Sequence, residues 1–196
     1  VFKDLDAKLS QLDLQPPFAV ISDSNTGPLY GQQIAKHLGA THFEFPAGEK
    51  HKTLETLSLV YNHLYTHRME RRGTVIAVGG GVTGDLGGMA AATYLRGVRW
   101  VNVATSLLAM VDSSLGGKVA VDLPQGKNLV GAFHNPALIL SDTRVLQTLP
   151  GREFRCGMAE LIKAAVIADP LLFEWLEQGA KPSPRWIQRA IQVKAD

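Results

Sequence analysis

The sequence has little cysteine, no long hydrophobic run and no strong excess of one charge. Its single cysteine, Cys156, excludes an internal disulfide and any Cys-x-x-Cys metal pair, which is typical of the reducing cytoplasm. The most apolar stretch, VNVATSLLAMV, is interrupted by polar residues and is too short to span a bilayer, and no signal-peptide pattern precedes it. A formal net charge of +2 is too small to indicate nucleic acid. We therefore expect a cytoplasmic protein that binds neither membranes nor nucleic acid.

Apolar runs with β-strand composition alternate with helical patterns in the first three quarters of the chain. The predicted strands are 18–21, 42–45, 74–78, 100–103 and 137–140, and the predicted helices are 28–38, 53–68, 85–95 and 106–111. This alternation predicts an α/β fold, with a mostly parallel sheet covered by helices on both faces. The segment KVAVDLPQGKN (118–128) interrupts it and predicts an irregular or hairpin insertion.

After Leu149 and Pro150 the strand patterns stop. The segments MAELIKAAVIA, PLLFEWLEQ and PRWIQRAIQVKA all have helical patterns. We therefore predict two domains, an α/β domain over 1–150 and the beginning of an all-α domain over 151–196.

Glycine is concentrated in TVIAVGGGVTGDLGG, directly after a predicted buried strand. Gly79, Gly81 and Gly84 fit G-x-G-x-x-G, the spacing that lets backbone amides approach a pyrophosphate at a helix N-terminus. The acidic residue expected about 20 positions downstream for the ribose is absent. The motif alone therefore leaves two interpretations, a dinucleotide site or a tight turn that packs a helix on a sheet.

Polar residues follow the predicted strands, where an open parallel sheet binds its ligands. They are Asp23 and Asn25 after the first strand, Glu49 and Lys52 after the second, Asp85 after the glycines, and Thr105 and Ser106 after the fourth. Each of them could simply cap a helix or build a turn. Together, the acids could hold ribose hydroxyls, while Gly80, Gly81 and Val82 leave room for phosphates.

Two further clusters combine lysines with carboxylates. The segment VDSSLGGKVAVDLPQGKN contains Asp112, Lys118, Lys127 and Asn128, and its lysines suit a phosphorylated or carboxylated substrate, although an exposed charged loop is the simpler alternative. In GMAELIK, Glu160 and Lys163 share a helix face, either as a surface ion pair or with Glu160 as a metal ligand that needs histidine partners.

The ordered set SDSN, PAGEKHK, GGGVTGDLGGMAAATYLRG, TSLLAMVDSSLGGK, GKNLVGAFHNP, LQTLPGREF and GMAELIK closely resembles the 3-dehydroquinate synthases. The resemblance implies a Rossmann-like lyase of the shikimate pathway, which leads to chorismate and the aromatic amino acids. It implies use of NAD and Zn2+ or Co2+, and usually a homodimer. The implied reaction converts 3-deoxy-D-arabino-heptulosonate 7-phosphate into 3-dehydroquinate and phosphate.

The resemblance also implies roles for individual residues. The family's NAD-binding places match Asp23, Asn25, Glu49, Lys52, Gly80, Gly81, Val82, Asp85, Thr105, Ser106, Lys127 and Thr148. Substrate-contacting places match Asp112, Lys118, Asn128 and Lys163. Arg96 matches an arginine that reaches the phosphate site of the neighbouring subunit, and Glu160 matches the metal-binding glutamate.

The family's two metal-ligating histidines have no counterpart in this sequence. We therefore expect an N-terminal domain with the first helices of a C-terminal domain, inactive as a separate fragment. Three alternatives stay open: another sugar-phosphate cyclase of the 2-deoxy-scyllo-inosose or valiolone type, a metal-dependent polyol dehydrogenase of the glycerol dehydrogenase type, and a nucleotide-binding module without catalysis.

Overall fold

A computed structural model describes residue 2 and residues 4–179 and 183–195 of the chain. The strands are β1 (Phe18–Asp23), β2 (Thr41–Phe45), β3 (Thr74–Gly79), β4 (Arg99–Ala104), β5 (Lys118–Leu123), β6 (Gly126–Phe133) and β7 (Leu138–Ser141). Five of them form a parallel sheet in the order β2-β1-β3-β4-β7, and β5 and β6 form a separate antiparallel hairpin. The five parallel strands overlap the five predicted ones.

The helices are α1 (Leu5–Gln11), α2 (Gln32–Leu38), α3 (Leu54–Thr66), α4 (Gly81–Thr93), α5 (Gly151–Ala168), α6 (Pro170–Glu177) and α7 (Pro184–Ala195). Alternate residues of the buried strands point to opposite faces of the sheet. On one face, Val20 and Ile76 pack with α1 and α2, while on the other Ile21 and Ala77 pack with α3 and α4. The predicted α/β fold with helices on both faces is confirmed.

Helix α4 begins at Gly81, four residues before the predicted start at Asp85. Its glycines are part of the helix because neighbouring elements lie too close for side chains. A Cβ on Gly88 would lie 2.3 Å from Val119 Cγ1, so the hairpin packs directly on the helix. The sequence pattern places the helix start too late because glycine lowers helix propensity. In the folded chain, the closely packed neighbouring elements favour glycine at these helical positions.

Three other elements differ from the prediction. Helix α1 was missed because its seven residues bury only Leu5 and Leu9, too few for a periodic pattern. The helix predicted over 106–111 includes a wide π-type turn at Ala109–Ser113. The insertion at 118–128, predicted as irregular or a hairpin, is a hairpin, and it differs from the prediction only in its second strand, which extends to Phe133.

The order of the strands creates a crevice. From β1 the chain moves outward to β2, and it then returns to place β3 on the other side of β1. The loops that follow β1 and β3 therefore leave the sheet in opposite directions. In open α/β sheets, ligands bind at such a switch point, outside the carboxyl ends of the strands.

Helices α5, α6 and α7 pack against the segment that follows β4. Leu107 and Met110 share an apolar core with Leu161, Leu172 and Trp186. The buried Asp169 accepts two hydrogen bonds from the guanidinium of Arg189, both 2.6 Å, which fasten α7 to the start of α6. Since this core joins residues on both sides of 150, the domain boundary there stays a prediction.

Within the described residues, no helix combines the length and the apolar composition needed to cross a membrane.

Candidate functional site

The switch point brings Asp23 beside the glycine loop. The Asp23 carboxylate accepts hydrogen bonds from the backbone N–H groups of Asn25 and Thr26, both 2.9 Å, and from the hydroxyls of Thr26 and Thr83, at 3.0 and 3.2 Å. These bonds join the end of β1 to the first turn of α4. Asp23 therefore shapes the crevice through internal bonds, while the neighbouring Asn25 is exposed at its edge.

The N-terminus of α4 points into this crevice without a side-chain cap. Gly80 is the N-cap residue and cannot supply a capping oxygen, so the first turn keeps backbone N–H groups for a ligand. A Cβ on Gly80 would lie 3.3 Å from the Ser106 hydroxyl, and one on Gly81 would lie 3.1 Å from the Ser113 hydroxyl. The two glycines thus keep open a narrow space lined with polar atoms, where the helix dipole favours an anion.

A buried lysine at the mouth of the crevice gathers residues from four elements. Lys52 is 3% exposed. Its Nζ lies 3.0 Å from Asp85 Oδ2, 3.1 Å from Glu49 Oε1, 3.6 Å from Asp122 Oδ1 and 2.6 Å from Asn128 Oδ1. We call these five residues the Lys52 cluster.

Lys127 extends the Lys52 cluster toward solvent. Its Nζ pairs with Glu49 Oε1 at 3.1 Å, and its side chain is 69% exposed. The structure therefore brings together Glu49, Lys52, Asp85, Lys127 and Asn128, which the sequence analysis singled out in separate segments.

Burial and charge act in opposite directions in the Lys52 cluster. Burial alone would lower the pKa of Lys52, but Asp85 and Glu49 raise it above its ordinary value. The pKa of Asp85 is raised to about 6, chiefly by burial; Lys52 opposes this shift, and the charges of Glu49 and Asp122 add to it. Near neutral pH the lysine is therefore charged and Asp85 is mostly ionised at an energetic cost.

This cost predicts a pH-dependent stability. The pKa of Asp85 rises from 3.8 to about 6 on folding, so the folded state binds this proton more tightly than the unfolded state. The resulting contribution to the free energy of unfolding is fully present below pH 4 and is lost as the pH rises through 6. The free energy of unfolding of Asp85→Asn should therefore gain about 2–3 kcal/mol relative to the unsubstituted chain between pH 4 and 7. Urea unfolding of both proteins across this range measures the difference, and parallel curves would contradict the assignment.

A second cluster lies where α5 and α7 meet the segment after β4. Lys194 Nζ is 2.5 Å from Asp112 Oδ1 and 2.7 Å from the Asp112 carbonyl oxygen. One turn of α5 brings Lys163 into an ion pair with Glu160. Glu160, with a smaller contribution from Asp112, raises the pKa of Lys163. Two lysines and two carboxylates thus share one region, which we call the α5–α7 cluster.

The α5–α7 cluster does not by itself fit a metal ion. Within the described part of the chain, no group of three or more His, Cys, Asp or Glu side chains is arranged to hold one. The predicted ligand, Glu160, is instead paired with Lys163, and a catalytic zinc needs three protein ligands.

Other predicted residues lie apart from the two clusters. Thr105 donates its backbone N–H to the Gly79 carbonyl, and the Ser106 hydroxyl accepts from Ala109 N–H. Thr148 lies 2.5 Å from the Tyr30 hydroxyl. Lys118 and Arg96 are exposed, and none of the hydrogen bonds or ion pairs found among the described residues joins them to either cluster.

Three residues that position the predicted ones escaped the sequence analysis. Thr83 holds Asp23, Asp122 touches Lys52 and Asn128, and Lys194 binds Asp112. Asp122 was detectable as the carboxylate inside VDLPQGKN. Lys194 gave no signal, because its partner lies 82 residues away and no spacing pattern links them.

The sequence is similar to known enzymes over most of its length. Residues 42–156 match the model of the 3-dehydroquinate synthase N-terminal domain. Over 179 residues the chain is 51% identical to the 3-dehydroquinate synthase of Rippkaea orientalis, covering 89% of this chain and 49% of that protein. The chain thus spans about half the length of the curated relatives it matches.

Two solved structures of sugar-phosphate cyclases are similar in fold. One is 2-deoxy-scyllo-inosose synthase complexed with carbaglucose-6-phosphate, NAD+ and Co2+, with a TM-score of 0.86, 32% identity, and 98% of this chain and 57% of that chain covered. The other is 2-epi-5-epi-valiolone synthase from Streptomyces hygroscopicus with NAD+ and Zn2+ bound. Its TM-score is 0.80 at 31% identity, with 90% of this chain and 53% of that chain covered.

Proposed function

The chain belongs to the 3-dehydroquinate synthase family, and on that premise we propose that it forms the NAD-binding part of such an enzyme. The proposed reaction converts 3-deoxy-D-arabino-heptulosonate 7-phosphate into 3-dehydroquinate and phosphate. In this proposal, residues 1–150 form the dinucleotide-binding unit and residues 151–196 begin the helical unit. A cytoplasmic location, a small phosphorylated sugar acid as substrate and a homodimer belong to the same proposal.

The uncapped N-terminus of α4 at the switch point carries the proposal. A pyrophosphate there would accept hydrogen bonds from the backbone amides that follow Gly80, in space that a Cβ would fill. Asn25 follows β1, and the Lys52 cluster includes Asp85 of α4; we propose that they meet the ribose hydroxyls and phosphate oxygens. The residues present therefore fit NAD, which when bound supplies a hydride acceptor and later a hydride donor.

The α5–α7 cluster supports a phosphorylated acid as substrate. Lys163 and Lys194 bring two ammonium groups into one region, each paired with a carboxylate, and ammonium groups also suit phosphate and carboxylate groups of a substrate. Glu160 and Asp112 position the two lysines through ion pairs. We propose that a substrate anion replaces one of these carboxylates as the partner of a lysine. We propose Lys118 and Asn128 as further substrate contacts from the hairpin side.

Two assignments need groups from outside the described residues. Arg96 lies on an exposed turn, where Leu95, Arg96 and Gly97 have positive φ angles of 50°, 68° and 119°. The Arg96 side chain is exposed, and we propose that its guanidinium reaches the phosphate site of a second subunit. We also propose Glu160 as one ligand of Zn2+ or Co2+, with the other ligands supplied from elsewhere.

We expect the isolated chain to bind NAD+ without catalysing the reaction. Since the described residues hold no three-ligand metal group, the chain alone should bind NAD+ but should not release phosphate from 3-deoxy-D-arabino-heptulosonate 7-phosphate. A phosphate-release assay with NAD+ and Zn2+ or Co2+ tests this. Steady phosphate release by the isolated chain would contradict the proposed division of the site.

A second candidate is a 2-deoxy-scyllo-inosose type of cyclase, because a synthase of that type has a similar fold, with a TM-score of 0.86 at 32% identity. The two candidates differ in substrate, an acidic seven-carbon sugar phosphate against a hexose 6-phosphate. Calorimetric titration of the NAD-loaded chain with each compound separates them. The proposed function predicts stronger binding of the acidic sugar phosphate, because its carboxylate adds a partner for a lysine.

A further inference from the structure

Asp122 connects the hairpin to the Lys52 cluster through its backbone and its side chain. Its backbone N–H donates to the Lys52 carbonyl at 2.7 Å, and the same contact forms an isolated parallel bridge between Thr53 and Asp122. The pairing of β5 with β6 shifts register between Val121 and Leu123. Such an irregularity redirects the side chain at that point, and here it directs the Asp122 carboxylate toward the lysine.

The Asp122 carboxylate also holds Asn128 in a left-handed backbone conformation. Asn128 has a φ angle of 56°, which asparagine adopts more readily than most residues other than glycine. Asp122 Oδ1 accepts the Asn128 backbone N–H at 2.8 Å. In this conformation, Asn128 Oδ1 lies 2.6 Å from Lys52 Nζ. The Asp122 carboxylate thus links the two strands on either side of the hairpin turn.

The charge of Asp122 contributes less to the Lys52 cluster than its hydrogen bond to the Asn128 N–H. Lys52 already has Glu49 and Asp85 at 3.1 and 3.0 Å, whereas Asp122 Oδ1 is 3.6 Å from Nζ. The charge of Asp122 is thus the most distant of the three, while its hydrogen bond to Asn128 is short. Positioning of the turn is therefore the larger part of its role.

We infer that Asp122 is a positioning residue, which sets Asn128 and thereby Lys52 in the geometry that receives the bound dinucleotide. This inference rests on the proposed function, since it assumes that Lys52 meets NAD. It predicts that the acceptor oxygen at position 122 matters more than its negative charge.

Calorimetric titration with NAD+ on Asp122→Ala and Asp122→Asn tests this inference. The alanine variant loses the acceptor, and its dissociation constant for NAD+ should rise roughly tenfold. The asparagine variant keeps Oδ1 without the charge and should bind within about threefold of the unsubstituted chain. Gln125→Ala, in the exposed turn of the same hairpin, is the matched control and should leave binding unchanged.

Amide hydrogen exchange provides a second readout that global stability does not explain. The Asn128 amide should exchange faster in Asp122→Ala, while amides of β3 keep their protection. If Asp122→Ala does not fold, Asp122→Ser replaces it, because the shorter side chain cannot reach the Asn128 amide in the same way.

The possible results separate this inference from the proposed function. If the unsubstituted chain does not bind NAD+, the proposed function fails and this inference falls with it. If the chain binds NAD+ and Asp122→Ala binds equally well, only this inference is overturned. Equal weakening in Asp122→Ala and Asp122→Asn would also overturn it, because charge rather than the bond to Asn128 would then matter.

Discussion

Replacing Lys52 by methionine is expected to lower the free energy of unfolding by about 3–5 kcal/mol, because it removes one partner of a buried ion pair. Asp85 and Asn128 would lose the hydrogen bonds that Lys52 donates, and Glu49 would keep its ion pair with Lys127. The pKa of Asp85 should rise further, since Lys52 is the group that opposes the effect of burial. NAD+ binding should fall below detection in the same variant.

The pH dependence of this loss identifies its cause. At pH 8 the unpaired Asp85 must ionise in a buried site, whereas at pH 5 it can stay protonated, so the loss should be larger at pH 8. Urea unfolding at both pH values measures it. Lys50→Met, two residues away at an exposed position, is the control and should change stability by less than about 0.5 kcal/mol. An equal loss in both variants would refute the role of the Lys52 cluster.

Replacing Gly80 by valine is expected to separate binding from folding. Gly80 has φ −82° and ψ −164°, an extended conformation that valine adopts readily. The branched side chain would extend from a Cβ only 3.3 Å from Ser106 Oγ and would occupy the space proposed for the pyrophosphate. The dissociation constant for NAD+ should rise on the order of 10- to 100-fold, while stability falls by only about 1 kcal/mol through the poorer N-cap.

A matched control for this variant is Gly151→Val, at the first residue of α5, where a Cβ would meet only Arg155 at 3.6 Å. It makes the same side-chain change at another helix start. Its NAD+ affinity should equal that of the unsubstituted chain. If Gly80→Val also binds NAD+ with unchanged affinity, the pyrophosphate does not lie at the N-terminus of α4.

The sequence predicted the sheet well because buried parallel strands are short apolar runs between turn residues. Phe18–Ile21 and Thr74–Val78 were correct to within two residues at each end. The predicted start of α4 was wrong because glycine, considered alone, lowers helix propensity. Only the packed hairpin and sheet make Gly88 necessary there, and that contact is visible in three dimensions alone.

The sequence indicated individual residues of the candidate site but not the contacts between them. Polar residues at strand ends marked Asp23, Asp85 and Lys52, since topology brings such ends together. Nothing local indicated that Asp23 would be fully occupied by internal hydrogen bonds. The contact of Lys194 with Asp112 likewise depends on how α7 packs, because residues 82 positions apart leave no periodic signal.

The hairpin has a larger role than a surface insertion. It packs on α4 at Gly88, where Val119 of the hairpin and Trp100 of the sheet leave no room for a Cβ, and it contributes Asp122 and Asn128 to the Lys52 cluster. The crevice that we propose for the dinucleotide is therefore built from the sheet edge, the N-terminus of α4 and the hairpin. If NAD+ binds there as proposed, a substitution in any of these three parts is expected to change NAD+ affinity without a direct contact to the cofactor.

Calorimetric titration of this chain with NAD+, in the presence and absence of Zn2+, tests the central claim most directly. We predict saturable binding at one site per chain with an affinity that Zn2+ does not alter, because the uncapped N-terminus of α4 lies within the described residues, whereas these residues hold no three-ligand metal group. Absence of saturable binding at millimolar NAD+ would contradict it, since the uncapped N-terminus of α4 would then not be a dinucleotide site.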